Sequence, residues 1–208
     1  MSKLAILLSL IAAFQILSCT SSHGCELKHS VEFNSNFYVD GDFPCKITLP
    51  DQSRLEFKDA NLYYNDRPLG GVGYPISISL SSHGNYLYVN SGNGSEADNM
   101  LDIYELTEGG AIDKTSFYDD LKRRYKLLIG CDTGGEDPNL WGIGWEDDEQ
   151  TIYILIQPIV RSDCGISTDF AVASVRISDG SLVSLDKAGT AKKKFKSYLP
   201  KAMIDSVR

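Results

Sequence analysis

Histidine is almost missing from this 208-residue chain, with His23, His29 and His83 as the whole complement. The first two lie near the N-terminus and the third in a tight-turn sequence, Ser81-Ser82-His83-Gly84-Asn85, where it reads as a surface turn residue. A Ser-His-Asp or Cys-His catalyst needs its base held rigidly beside the nucleophile, and neither position offers that. Cysteine is sparse: Cys19, Cys25, Cys45, Cys131 and Cys164 form no CxxC pair and no Cys/His ladder at zinc spacing, which argues against a zinc site. Low-complexity tracts are absent. The glycine-rich stretch Leu69-Gly70-Gly71-Val72-Gly73 has no Lys-Ser/Thr after it and opens no helix, so it reads as a turn and not as a phosphate cradle. Excess positive charge is lacking as well, and a formal charge of −8 speaks against a nucleic-acid partner.

Carboxylates are plentiful but badly placed for acid–base work. Glu146, Asp147, Asp148 and Glu149 are consecutive, and neighbours in a hairpin turn splay apart, whereas a glycosidase needs two acids facing across a cleft. The loop Asp132-Thr133-Gly134-Gly135-Glu136-Asp137 is rich in oxygen but lacks EF-hand spacing. The expectation is therefore a chain that is not an enzyme and carries no cofactor and no metal.

The N-terminus gives the address. Lys3 precedes an apolar run from Leu4 to Phe14 that includes Ala12 and Ala13, the layout of a secretory leader and too short to span a bilayer. Ile16-Leu17-Ser18-Cys19 then resembles the bacterial lipobox, which implies cleavage before Cys19 and a lipid on that residue. Residues 1–18 are read as signal peptide, 19–24 as a lipid-attached tether and 25–208 as a single β-rich domain, a size suited to one core. The expected location is the bacterial cell envelope, facing the periplasm, with secretion after an ordinary cleavage as the alternative. A lipid on Cys19 leaves Cys25, Cys45, Cys131 and Cys164, an even number suited to two disulfides in an oxidising compartment, with three pairings open.

Short β-branched and aromatic runs bounded by Gly, Asp and Asn dominate the body and predict many short strands. Residues 32–33, 37–39, 45–49, 54–57 and 61–64 are expected to form an antiparallel meander, with turns at Asp40-Gly41-Asp42, Pro50-Asp51 and Asn65-Asp66. Ser116 with Asp119 has the form of a capping box, and Phe117, Leu121 and Tyr125 recur at intervals of four, predicting one short internal helix. The C-terminal region carries Lys192, Lys193, Lys194, Lys196, Lys201 and Arg208, with Phe195, Leu199 and Met203 on one apolar stripe. It reads as an amphipathic helical terminus packed on the core, with Pro200 opening a last helix that carries Met203 and Val207 on one face.

An internal repeat stands above any local motif. Strands at 76–80, 86–89 and 101–106 are matched by strands at 141–145, 151–156 and 170–177, and a last strand at 181–185 follows an Asp179-Gly180 turn. Tyr88 aligns with Tyr153 and Leu80 with Trp145, without a gap between them. This unit resembles a WD40-like β-propeller blade. A propeller takes about four or more blades of roughly 40 to 45 residues, and this chain holds four at most. The expected fold is mainly β, an irregular or partial β-propeller-like set of antiparallel sheets with one short internal helix and a C-terminal helix; a β-sandwich is the alternative.

In a blade array, equivalent loops emerge on one face. The resemblance therefore brings together the segments 91–99 and 161–168, and with them the connection 111–139. That implies Cys131 paired with Cys164 and Cys25 with Cys45, each loop contributing about 3 to 4 kcal/mol in the chain-entropy model. The candidate partner-binding residues are Asn93, Ser95, Glu96, Asp98, Arg161 and Asp163, on loops where a rigid scaffold usually carries binding function. Asn93-Gly94-Ser95 is also a glycosylation sequon, relevant only in a eukaryotic host. An anchored, disulfide-stapled acidic β domain is similar in general plan to exported partial-propeller immunity proteins of bacterial secretion systems. The resemblance implies a membrane-anchored protein-binding module, an immunity protein or inhibitor that neutralises a periplasmic toxin such as a cell-wall hydrolase. An envelope assembly or glycan/peptide-binding lipoprotein is the alternative; Tyr88, Trp141 and Trp145 would then line its groove, although core packing is the favoured reading of each.

Overall fold

The computed structural model describes residues 26–30, 36–40, 43–49, 51–92, 99–131, 137–146, 150–159 and 169–205. These residues are mainly β, arranged in three antiparallel sheets with few helices. The first sheet has the order β3 (Cys45–Thr48), β4 (Arg54–Lys58), β5 (Asn61–Tyr64), β6 (Arg67–Gly71). The second runs β1 (Glu26–His29), β2 (Phe37–Asp40), β7 (Ile76–Leu80), β8 (Tyr86–Gly92), β9 (Asn99–Thr107), β10 (Gly110–Asp113). The third runs β11 (Asn139–Trp145), β12 (Thr151–Gln157), β13 (Ala171–Arg176), β14 (Leu182–Lys187). Helix α1 (Tyr118–Ile129) joins the second sheet to the third, and α2 (Ala188–Lys194) and α3 (Lys201–Asp205) follow the last strand.

Side-chain alternation sets the layers. On β8, Leu87 and Val89 join Ile47, Leu55, Phe57, Leu62 and Tyr64 of the first sheet in one core, while Tyr88 between them faces the other way. On β9, Tyr104 and Leu106 enter that same core, whereas Leu101 and Ile103 meet Ile152, Ile154 and Ile156 of β12 and Leu121 and Tyr125 of α1. The six-stranded sheet is therefore the middle layer, covered on both faces, which is why β7 and β8 are buried nearly throughout. Leu155 and Val172, on the outer face of the third sheet, are covered by Ala191, Phe195 and Leu199 of the C-terminal segment.

The predicted strands at 76–80 and 61–64 occur as β7 and β5, and the repeat is present as two antiparallel meanders, β7–β10 and β11–β14. Three local expectations need correction. The segment 69–71 is not a turn but the end of edge strand β6, where Gly70 and Gly71 pair with Leu62 and Asn61. Pro68 is tolerated there because an edge strand leaves one side of its backbone unpaired. The expected capping box does not form: α1 begins after Phe117, without a side-chain cap, and Asp113, not Ser116, accepts from the Thr115 amide at 2.7 Å ahead of the helix. The C-terminal stripe is not one helix either. Its apolar residues pack as expected, but α2 stops at Phe195 and α3 starts after Pro200, whose carbonyl accepts from the Met203 amide at 2.9 Å. Proline has no amide hydrogen to continue a helix but fits its first turn. The expected strand at 32–33 and Val207 lie outside the described residues.

Candidate functional site

The middle and third sheets are held in register by a buried polar clamp. Gly142, on edge strand β11, donates its amide to Asn90 Oδ1 at 2.7 Å, and its carbonyl accepts from Asn90 Nδ2 at 2.8 Å and Asn36 Nδ2 at 3.1 Å. One carboxamide thus pairs with both backbone groups of Gly142 as another strand would, which closes the open edge of β11. Tyr88 donates its hydroxyl to Asn36 Oδ1, and Asn36 and Asn90 also reach Ser77 Oγ at 3.5 and 3.3 Å. Asn36, Asn90 and Tyr88 are fully buried, so these bonds form where an unpaired polar group would be costly.

The clamp fixes which strand ends lie together. Asn90, near the end of β8, meets Gly142 at the middle of β11, while Trp145 at the end of β11 lies against Tyr86 and Tyr88 at the start of β8; the two strands therefore run in opposite directions, and the ends of β8 and β12 lie at the same end of the stack. The first sheet joins them there: Gly71 at the end of β6 pairs with Asn61 beside the β4–β5 turn, and five residues later the chain enters β7 at Ile76, which pairs with Ser91. The connections between second and third strands of the three meanders, at 59–60, 93–98 and 158–170, are thus all joined to strand ends on one side.

That side holds a cleft of about 410 Å³. Its floor is Phe57, Val72 and Ile76, all buried, and its walls are Phe43 and Tyr74, which remain 42% and 59% exposed. The two wall rings meet edge to face at 6.3 Å and 81°, and Phe43 stands 6.3 Å from Phe57. Each wall residue is followed by a proline across a cis peptide bond, Pro44 and Pro75. The rim carries Lys58, Asp59, Ala60 and Asn61. Asn61 is held by its Nδ2 donating to the Asp59 carbonyl at 2.8 Å, while the charged groups of Lys58 and Asp59 have no partner among the described residues. The arrangement suits binding: a deep apolar floor, aromatic walls and a few polar groups at the mouth.

The rim turn is itself strained. Lys58 pairs with Asn61 across a two-residue hairpin turn in which Asp59 and Ala60 take φ of 50° and 57°, the type I′ geometry that favours glycine at its second position. Ala60→Gly should therefore raise the unfolding free energy, by about 0.5 to 1 kcal/mol after the entropy of glycine is subtracted. Urea unfolding checks this; an unchanged or lower stability would show that the turn carries no such strain.

Of the residues singled out in the sequence, Asn93, Ser95, Glu96, Asp98, Arg161 and Asp163 lie outside the described residues, as do Cys19, Cys25 and Cys164. Cys45 and Cys131 are each disulfide-bonded. Tyr88, Trp141 and Trp145 pack with the core, as the favoured reading has it: Tyr88 is fully buried, Trp145 lies tilted against it at 5.3 Å and against Tyr86 at 6.1 Å, and Trp141 packs with the core on the outer face of the third sheet. His83 sits exposed in its turn. Asp137, from the oxygen-rich loop, pairs with Lys126 at 3.0 Å and Lys122 at 3.1 Å on α1, bonds that lower its carboxyl below the usual range. Among the described residues no three His, Cys, Asp or Glu side chains converge where a metal would sit. The cleft was missed because its lining comes from three separate connections, yet Phe43-Pro44 and Tyr74-Pro75, aromatic residues placed in turn sequence, were a readable signal. The sequence matches no family model and no curated protein.

Proposed function

We propose that this chain is an exported, lipid-anchored protein-binding module, and most concretely an immunity protein or inhibitor that neutralises a toxin such as a cell-wall hydrolase in the periplasm. The observation that carries the reading is the pair Phe43 and Tyr74, two large aromatic side chains left half-exposed over an apolar cleft. Elsewhere the fold buries most of its large apolar groups, and surface of this kind gains most from desolvation by a partner. The candidate residues Glu96 and Asp98 lie in sequence between β8 and β9, and in this reading they chiefly speed and select the encounter with a cationic rim. The leader sequence and Cys19 supply the address. The three stacked meanders are read as consecutive blades of a partial β-propeller, because each contains four antiparallel strands in sequence order and packs face to face on the next; a β-sandwich-like stack is the alternative.

Affinity capture from envelope extracts of the native host, with the full chain as bait, tests the function. One stoichiometric protein partner is expected; recovery of cell-wall fragments with no protein would favour the glycan-binding alternative. Anchoring has its own test. Cys19→Ser should move the protein from the membrane fraction to the soluble envelope fraction, and continued membrane retention would remove the lipid anchor from the proposal.

A further inference from the structure

We infer that the Phe43/Tyr74 cleft accepts one bulky apolar side chain, aromatic best, from a partner segment that carries opposite charges on either side of it. This deepens the protein-binding reading above and rests on it. The volume of about 410 Å³ holds a tryptophan-sized side chain with room for the backbone that presents it. The floor decides the chemistry of the occupant. Phe57, Val72 and Ile76 offer no hydrogen-bonding side chain, so the hydroxyls of a sugar pressed onto them would lose water without gaining a partner. An aromatic side chain loses nothing there and gains edge and face contacts with Phe43 and Tyr74. The mouth decides what flanks it. Lys58 and Asp59 are adjacent, exposed and without partners for their charged groups among the described residues, so they complement an acidic and a basic group placed close together on the incoming segment. They also disfavour a simple cation between the rings, because among the described lining residues the rim's one carboxylate, Asp59, is matched by the positive charge of Lys58.

The probes are three capped peptides, N-acetyl-Glu-Trp-Lys-amide, its alanine counterpart N-acetyl-Glu-Ala-Lys-amide and the uncharged N-acetyl-Gln-Trp-Gln-amide, with tri-N-acetylchitotriose as the saccharide. Binding to the full chain in phosphatidylcholine nanodiscs is followed by saturation-transfer NMR titration. The charged tryptophan peptide should bind at least about tenfold more tightly than the alanine peptide, equivalent to about 1.4 kcal/mol, and the saccharide should not compete. Tyr74→Ser and Phe43→Ser should each bring that ratio close to one, and both side chains are exposed enough for the variants to keep the melting temperature of the parent. A Lys58→Ala, Asp59→Asn double variant should make the charged and uncharged tryptophan peptides bind alike. Equal binding of the tryptophan and alanine peptides to the unmodified chain overturns the inference. So does chitotriose binding that Tyr74→Ser abolishes, which would make the cleft a saccharide site. The two readings fail separately. A captured protein partner whose affinity ignores Tyr74→Ser leaves the protein-binding function standing and removes the cleft from it. A peptide preference without any protein partner keeps the pocket and removes the function.

Discussion

Gly142→Ala should destabilise the protein by about 2 to 6 kcal/mol. A Cβ at this position would stand 2.6 Å from Tyr88 Cδ2 and 2.8 Å from Cγ and Cε2, closer than carbon atoms approach. Neither side has room to yield. Tyr88 is fully buried and tied to Asn36 through its hydroxyl, and a retreat of Gly142 would stretch its two bonds to Asn90. Overpacking of this kind costs about 1 to 3 kcal/mol, and leaving buried backbone groups short of a partner costs about 1 to 3 more. Asn90→Asp separates the two contributions. It keeps the shape but replaces the donor facing the Gly142 carbonyl and Ser77 with a second acceptor, so it should cost a similar amount and recover part of it at low pH. Urea unfolding of both variants reads these values; a loss below about 0.5 kcal/mol for Gly142→Ala would show that the sheets do not depend on this contact.

Asp102→Asn should have the opposite sign at neutral pH and stabilise the protein. Asp102 lies on β9 with no partner for its carboxylate among the described residues. Asp113 on the paired strand β10, Tyr104 on β9 and Tyr118 from α1 all act on it or feel its charge. Burial first and the Asp113 charge second push its carboxyl up to about 6 from 3.8. The same burial, with the nearby carboxylates, raises the Tyr104 and Tyr118 phenols, and Tyr118 donates its hydroxyl to the Leu101 carbonyl at 2.6 Å. Because the folded value lies above the unfolded one, ionised Asp102 opposes folding. The penalty is fully present above pH 6 and is relieved as the pH falls from 6 towards 4. A displacement of this size is worth about 3 kcal/mol at most, and the part of the carboxyl still in water reduces the expectation to about 1 to 2 kcal/mol. Unfolding at pH 7.5 should therefore show Asp102→Asn as the more stable form, with the difference gone by pH 4. A difference independent of pH would mean that the charge is not its cause.

Much of all three sheets was legible because many of their strands alternate or run continuously apolar between clear turn residues. The exact coincidence of β7 with residues 76–80 and of β5 with 61–64 follows from that pattern. Some edge strands were not legible. Strand β1, with Glu26, Lys28 and His29 exposed, and β6, with Pro68, Gly70 and Gly71, bury little and so lack the pattern that marks a strand. Tertiary packing also overrode local signals. Asn90 and Ser77, polar residues at positions a strand would fill with valine, make sense only once β11 is seen to lay its open edge against β8. The same holds for Gly142, whose missing side chain is required by Tyr88 and by nothing in its own sequence neighbourhood. The cleft depends on pairing between distant residues as well, since Phe43 is brought beside Phe57 by the pairing of Cys45 with Phe57, and Tyr74 is brought to them by the pairing of β6 with β5 and the hydrogen bond from the Val72 amide to the Ala60 carbonyl.

The most direct test of a partner-binding surface at this cleft is a photo-crosslinking amino acid placed at position 74 in the full chain, expressed in its native host. The control is the same group at position 183, where Val183 is 55% exposed on β14 of the far sheet. Irradiation should join position 74 to one protein, at a peptide bearing a bulky apolar residue with charged neighbours, and should give no such adduct at position 183. Adducts of that protein at 183 with none at 74 would contradict the assignment of the partner surface to this end of the fold.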